Sequence, residues 1–148
     1  MKLQTFLPYR LSVVSNQISD LIAELYRDRF GLSIWQWRVI ALIGTEGEHT
    51  AQQVAIQAAM DKMTVSRAVS GLVQRDLVRR MASTTDRRSH MLHLTTQGRK
   101  IHDEIAPLAK QQEQMLLAGM SEADIEQLFS ILTRLEKKVV MAKNNSNT

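Results

Sequence analysis

The chain has 148 residues, of which 44% are hydrophobic and 23% charged, so it can bury a core and is not a disordered tail. It contains no cysteine, which excludes disulfides, thiolate metal sites and thiol-based redox sensing. No apolar run approaches the roughly 20 residues that span a bilayer, and no signal-peptide pattern opens the chain, so we expect a cytoplasmic protein.

Positive charge is concentrated in the middle of the chain. The net charge is +4, but positions 60–102 alone carry nine Lys or Arg against three Asp. Such a local excess is typical of a surface that binds a polyanion such as DNA. A solvated surface explains most charge clusters, so the charge alone does not decide the function.

The N-terminal segment is predicted to be a long helix, because its apolar residues recur at spacings of three and four. Gly31 ends this helix, since glycine readily takes the left-handed conformation that closes one. Ser33 and Gln36 then match the pattern of a capping box and begin a second helix. The apolar stripe of the first helix is Leu7, Leu11, Val14, Ile18, Leu21 and Leu25.

Two further helices are predicted on either side of a tight turn. The first begins with the capping box of Thr50 and Gln53, and the second begins at Asp61 and runs to about Arg75. The second helix has an apolar face and an opposite face of small, polar or basic side chains, as in a helix-turn-helix. An ordinary pair of antiparallel helices fits this part of the pattern equally well.

The next segment favours the helix-turn-helix. Leu77–Met81 and Met91–Leu94 are predicted strands, and the intervening STTDRRSH is polar and basic. A basic hairpin directly after a candidate recognition helix indicates a wing. We therefore predict a mainly α protein with a small β-hairpin wing, a winged helix-turn-helix.

Two more helices are predicted after the wing. Thr95 or Thr96 can cap the first, which contains Pro107, and Ser121 caps the last helix after a break at Gly119. The apolar stripe of the last helix includes Leu128, Leu132, Leu135 and Val139.

The apolar stripes of the first and last helices predict a homodimer. They are too apolar to face water, and packing against a second subunit would bury them. A twofold dimer also places two recognition helices about 34 Å apart, on successive major grooves of DNA. The alternative is that the terminal helices close a monomeric bundle. The predicted dimerisation residues are Leu7, Leu11, Val14, Ile18, Leu128, Leu132, Leu135 and Val139.

The chain resembles the MarR-type (multiple antibiotic resistance) winged-helix regulators over nearly its whole length. The strongest match is Asp86-Arg87-Arg88 followed by Leu94-Thr95, which is similar to the wing signature of that family. Val65-Ser66-Arg67 and Leu77-Val78-Arg79-Arg80 are similar to its recognition helix and the exit into the wing. Asp76 departs from the pattern, which usually has glycine there, and so does Trp35 beside Trp37.

The resemblance implies a homodimer that regulates nearby genes, usually as a repressor, through palindromic operators in double-stranded DNA. It implies a DNA-binding domain over 33–98 and a helical dimerisation domain over 1–32 and 99–148. Many relatives also release DNA when they bind a small aromatic or phenolic effector between these two regions. Trp35 is our one candidate for lining such an effector pocket.

The DNA-binding residues are predicted from the outer face of the helix at 61–75 and from the wing. Arg67 is expected in the major groove, where it can pair with guanine or clamp a phosphate. Arg88 matches the wing arginine that enters the minor groove, whereas Asp86 carries the wrong sign for DNA and is expected to position the wing. The full set expected at DNA is Lys62, Met63, Thr64, Ser66, Arg67, Ser70, Arg80, Arg87 and Arg88.

Neither catalysis nor a metal site is predicted. No nucleophile motif, glycine-rich phosphate loop or pair of carboxylates is evident, and we expect no cofactor. The four histidines lack the spacing of compact metal sites. The competing hypothesis is a helical protein-interaction module that uses the winged-helix scaffold without DNA.

Overall fold

The structure is a computed structural model that describes residues 1–82 and 90–148. These residues form six α-helices and three short strands. This architecture confirms the predicted fold class. The elements are α1 (Leu7–Ala23), α2 (Ile34–Glu46), β1 (His49–Thr50), α3 (Ala51–Gln57), α4 (Lys62–Gln74), β2 (Val78–Ala82), β3 (His90–Leu94), α5 (Thr96–Leu117) and α6 (Glu122–Ser146).

The described chain divides into two units, Met1–Lys110 and Gln111–Thr148. The first contains α1 to α4, the three strands and about the first two thirds of α5, and the second contains the end of α5 and all of α6. The functional division expected from the sequence, 33–98 against 1–32 and 99–148, stays a prediction.

The first helix changes its winding before it ends. After α1 the chain makes a π-helical segment at Glu24–Asp28, in which Tyr26 is buried. Gly31 then stops the helix with a φ of 63°, and its N–H donates to the carbonyl of Arg27 at 2.9 Å. The predicted helix end at Gly31 is confirmed, because this left-handed φ is one that glycine takes without strain.

The caps expected from the sequence are present at four helix starts. In α2, Ser33 and Gln36 bond each other's backbone N–H groups, and Thr50 and Gln53 do the same in α3. The remaining two starts, those of α4 and α6, are capped by Asp61 and Ser121. Each cap satisfies N–H groups that have no partner inside the helix, an effect worth about 1 kcal/mol.

The core of the first unit lies between α2, α3, α4 and the sheet. The inner face predicted for α4 is buried, with Val65, Val69 and Leu72 each exposing 1% or less of their surface. Val39 and Ile40 of α2 are fully buried beside them. Burying side chains of this size stabilises the fold by roughly 1.5–3 kcal/mol each, so this packing fixes how α4 is presented.

The sheet has three antiparallel strands in the order β1-β3-β2. Val78 pairs with Leu94 and Ala82 pairs with His90, which confirms the predicted hairpin to within one residue at each end. The strand β1 was not predicted, and it pairs His49 with Leu92. Two residues carry no readable alternation, and only pairing with the distant β3 makes this segment a strand.

Thr95 joins the end of α4, the sheet and the start of α5. Its hydroxyl donates to the carbonyl of Asp76 at 2.6 Å and accepts from the N–H of Gly98 at 3.0 Å. Thr95, and not Thr96, is therefore the residue that caps α5. Asp76 has a φ of 55°, so this aspartate takes the left-handed conformation at the position where the resembled family usually has glycine.

The second unit consists of the last turns of α5 and the helix α6. Gly119, with a φ of 86°, lies between them, and Ser121 accepts a hydrogen bond from the N–H of Asp124. Considered by itself, α6 buries none of its residues. Within the described ranges, none of the helices combines the length and the apolar composition needed to cross a bilayer.

Candidate nucleic-acid interface

The outer face of α4 is open to solvent as the helical periodicity predicts. Its exposed side chains are small, polar or basic, apart from one methionine, while the opposite face is buried in the core. A helix with one face held rigidly and the other free can enter the major groove of DNA. The exposed residues are Lys62, Met63, Ser66, Arg67, Ser70 and Gln74.

Asp61 organises the first turn of α4. One carboxylate oxygen accepts from the backbone N–H of Thr64 at 2.8 Å, and the other accepts from its hydroxyl at 2.6 Å. These hydrogen bonds lower the pKa of the Asp61 carboxyl, chiefly through the Thr64 hydroxyl. Because a hydroxyl has one proton to donate, Thr64 can meet DNA only as an acceptor, or by its methyl group, while this bond persists.

The sheet brings Arg80 next to the N-terminal half of α4. Arg80 lies on β2 and lines a recess of about 360 Å³ together with Lys62 and Ser66 of α4 and Gln52 of α3. Two positive charges and two neutral polar groups thus lie around a concave surface that Ala51, Val65 and Val69 also line. Cations arranged in this way can bind the oxygens of a phosphate backbone.

A second recess lies on the other flank of α4. It has a volume of about 210 Å³ and is lined by Trp35 and Gln36 of α2 and by Thr64 and Arg67 of α4. Trp35, the candidate for an effector pocket, thus shares this recess with Arg67. Their proximity results from the packing of α2 on α4, and no local sequence pattern indicates it.

The wing residues proposed from the sequence lie outside the described residues. Asp86, Arg87 and Arg88 all fall within 83–89. The two strands that flank this range are described, and Ala82 pairs with His90 at its ends. The roles expected of the three residues stay predictions.

Three described arginines of the basic middle segment, Arg75, Arg79 and Arg99, are engaged with the protein itself. Arg99 donates to the carbonyl oxygen of Gly44 at 2.8 Å. Arg75 donates to the carbonyl oxygens of Phe30 at 2.6 Å and Gly31 at 3.3 Å, and Arg79 lies 3.7 Å from Asp76. The charge count therefore overstates the number of cations that are available to DNA.

The second tryptophan, Trp37, has a packing role. Its ring stacks on Tyr26, with centroids 6.0 Å apart, and on His102, with centroids 6.3 Å apart. Burial raises the pKa of the Tyr26 hydroxyl above its ordinary value. His102 is buried, and its two ring nitrogens lie 3.0 Å from Asp103 and 3.3 Å from Thr45.

The other histidines take part in local contacts around the sheet. His49 is buried, with Nδ1 at 2.7 Å from the carbonyl of Gly47, and His93 lies 3.3 Å from Glu48. His90 is exposed on β3. Within the described residues, no three His, Asp or Glu side chains are grouped so that they could hold a metal ion.

The fold and the exposed basic face of α4 together define a winged helix-turn-helix transcription regulator that binds DNA. The model of the MarR family matches residues 32–90 of the chain. YwoH of Bacillus subtilis, an uncharacterised HTH-type transcriptional regulator, is 30% identical over 123 residues, which cover 81% of this chain and 88% of YwoH. The chain belongs to the MarR family, as the sequence motifs indicated.

Solved structures have the same fold. A MarR family regulator of Listeria monocytogenes in complex with a 26mer DNA superposes with a TM-score of 0.83 at 18% identity, covering 94% of this chain and 90% of that one. BpsR of Bordetella bronchiseptica, whose DNA binding is regulated by 6-hydroxynicotinic acid, superposes with a TM-score of 0.78 at 21% identity, covering 92% and 96%. At these identities the likeness supports the fold alone.

Proposed function

We propose that the chain is a homodimeric repressor that binds a palindromic operator through α4 in the major groove and the wing in the minor groove. The observation that carries the proposal is the exposed outer face of α4, flanked by Arg80. The resemblance of the wing sequence supports the second part. The proposed DNA-binding set is Lys62, Met63, Thr64, Ser66, Arg67, Ser70, Arg80, Arg87 and Arg88, with Asp86 positioning the wing.

Exposed apolar side chains on both terminal helices support the dimer. In α1, Leu7 exposes 50% of its surface, and Leu11, Val14 and Ile18 each expose between 37% and 43%. In α6, Leu128, Leu132, Leu135 and Val139 are exposed or half-buried. Burying such surface against a second copy contributes about 25 cal/mol per Å².

A small aromatic effector that lowers DNA affinity completes the proposal. BpsR, whose DNA binding is regulated by 6-hydroxynicotinic acid, supports it as a protein of the same fold. Trp35 lines the recess beside Arg67, and its assignment to an effector pocket stays a prediction. No other residue of this chain is assigned to the effector.

The proposal is tested by selecting duplexes that bind the purified protein from a random-sequence pool. We expect enrichment of one inverted repeat whose half-sites are centred about 10 base pairs apart or a multiple of that distance. A protein-interaction module without DNA binding would enrich no duplex, which would contradict the proposal. An enriched sequence without twofold symmetry would contradict the dimeric part.

Two substitutions then locate the contacts on the selected duplex. Arg67→Ala should weaken binding at least tenfold, because one bidentate contact is worth about 1–3 kcal/mol and a twofold dimer loses two. Arg88→Ala should weaken binding severely through loss of the minor-groove contact. Arg27→Ala is the control, because Arg27 is exposed, lies on the π-helical segment and lines neither of the two recesses beside α4. Unchanged affinity of the first two variants would contradict their assignment.

A further inference from the structure

Trp35 and Arg38 form a paired aromatic and cationic group on α2. The Arg38 guanidinium lies over the Trp35 ring, 5.2 Å from its centroid, which is within the range of a cation–π interaction. Trp35 exposes 41% of its surface, and its indole lines the recess that Arg67 also lines. A large aromatic side chain thus stays open to solvent directly beside the candidate recognition helix.

Packing does not account for this exposure. Trp37, two residues further along α2, stacks between Tyr26 and His102 and already fills the interior position. Trp35 makes no comparable ring stack within the described residues, apart from its contact with Arg38. An exposed aromatic with a polar edge is typical of a contact surface.

Three polar groups of the recess already take part in helix caps. The Ser33 hydroxyl and the Gln36 amide oxygen form the capping box of α2, and the Thr64 hydroxyl donates to the cap of α4. The donors of the lining that take no part in these caps are the Gln36 amide NH2, the Trp35 indole N–H and the Arg67 guanidinium. All three groups only donate, and one of them is a cation, so their natural partner is an anion.

We propose that Trp35 and Arg38 bind the phosphate backbone of the DNA strand that borders the groove entered by α4. The indole N–H of Trp35 donates to a phosphate oxygen, and Arg38, held by the indole ring, supplies a positive charge. Because the pair lies on α2 and not on α4, it contacts the backbone and not the bases. The inference rests on the proposed function and adds a second helix to the DNA interface.

The chemistry predicts two different responses to salt. Trp35→Phe keeps the ring under Arg38 but removes the donor, so affinity should fall about three- to tenfold while its dependence on salt is unchanged. Arg38→Gln removes a charge, so the slope of log K against log [salt] should become less steep by about 0.9 for each subunit. Because both contacts are made to phosphate, both effects on affinity should be the same whatever the base sequence of the duplex.

The experiment measures affinity for two 30-base-pair duplexes, the selected one and one of mixed sequence, at several salt concentrations. The proteins are the wild type, Trp35→Phe, Arg38→Gln and the matched control Arg27→Gln, each checked for an unchanged Tm. We expect both test variants to lose affinity on both duplexes and the control to match the wild type. The fluorescence of Trp35 provides a direct readout. It is the difference between the emission of the wild type and that of Trp35→Phe, and we expect it to change when duplex is added.

The outcomes separate this inference from the proposed function. If the wild type enriches no duplex at all, the proposed function fails. If the wild type binds but Trp35→Phe and Arg38→Gln bind both duplexes equally well, only the assignment of α2 to the backbone is overturned. A loss confined to the selected duplex would also overturn it, because that result indicates base reading.

Discussion

At the scale of single residues, Asp61 and Thr64 form a small unit whose charge state can be tested. The two hydrogen bonds from Thr64 favour the ionised carboxylate and hold the pKa of Asp61 below its ordinary value of 3.8. A carboxyl with a lowered pKa adds stability that is fully present above the ordinary pKa. That stability is lost as the pH falls through the pKa of the folded state.

We expect Thr64→Val to raise the pKa of Asp61 toward the ordinary value, because the hydroxyl is the largest cause of its depression. The measurement is an NMR titration of the side-chain carboxyl in both proteins. Ser66→Ala, which changes an exposed hydroxyl on the same helix, is the control and should leave the titration unchanged. An identical Asp61 titration in the wild type and Thr64→Val would show that the backbone bond alone sustains the cap.

Sequence reasoning predicted local features at this scale and missed those that depend on packing. Asp61 was identified as a cap because the N-cap position has a strong residue preference. The proximity of Trp35 to Arg67 was not predicted, since it depends on how α2 crosses α4. The hydrogen bond from Arg75 to Phe30 was missed for the same reason, because no local sequence pattern around either residue indicates a contact between them.

At the scale of elements, Arg75 ties the end of α4 to the end of the first helical segment. Its guanidinium donates to the carbonyl oxygens of Phe30 and Gly31, which accept no hydrogen bond within that helix. The helix dipole also favours a positive charge at this C-terminal end. We expect Arg75→Gln to lower the free energy of unfolding by about 1 kcal/mol, as measured by urea denaturation. Arg79→Gln is the matched control and should cost less than about 0.5 kcal/mol, because its ion pair with Asp76 is exposed.

Gly98 makes a close approach that sets the position of α5 against the wing strands. A Cβ atom at this position would collide with the backbone carbonyl oxygen of Leu77, which cannot rotate away. Gly98→Ala should therefore destabilise the protein by about 1–3 kcal/mol, despite the better helix propensity of alanine. Gln97→Ala, on the exposed neighbour, should stay within about 0.5 kcal/mol of the wild type. Equal urea midpoints for the two variants would count against the close contact.

The elements themselves were largely predictable. The helix starts were read from Ser33, Thr50 and Asp61, whose caps are local and specific. The strand β1 could not be read, because its two residues become a strand only through their pairing with β3. Sequence periodicity detects an element that is long enough to repeat its pattern, and the two residues of β1 make only one period of a strand.

At the scale of the whole molecule, the apolar surface of α1 is the feature that needs a partner. Leu11 and Val14 are exposed in the single chain, so replacing both with Asp should leave the chain folded while preventing dimer formation. Light scattering at micromolar concentration should then give the mass of one chain. Ser12→Asp with Ser15→Asp adds the same charge at the same spacing on exposed polar positions, and should remain a dimer. A dimer from the Leu11 and Val14 variant would exclude this face of α1 from the interface.

The π-helical segment at Glu24–Asp28 determines the rotational phase of α1. A π segment contains one residue more than the α-helix would need there, and each residue of an α-helix turns the chain by about 100°. Deleting Arg27 would allow the segment to rewind as α-helix, with Tyr26 still held in the core and everything before it rotated by about that angle. The same side chains would then lie along the same axis and face a different direction. A homologue that lacks this extra residue would need the apolar residues of its first helix one sequence position away from those of this chain. Only then would its apolar face point in the same direction.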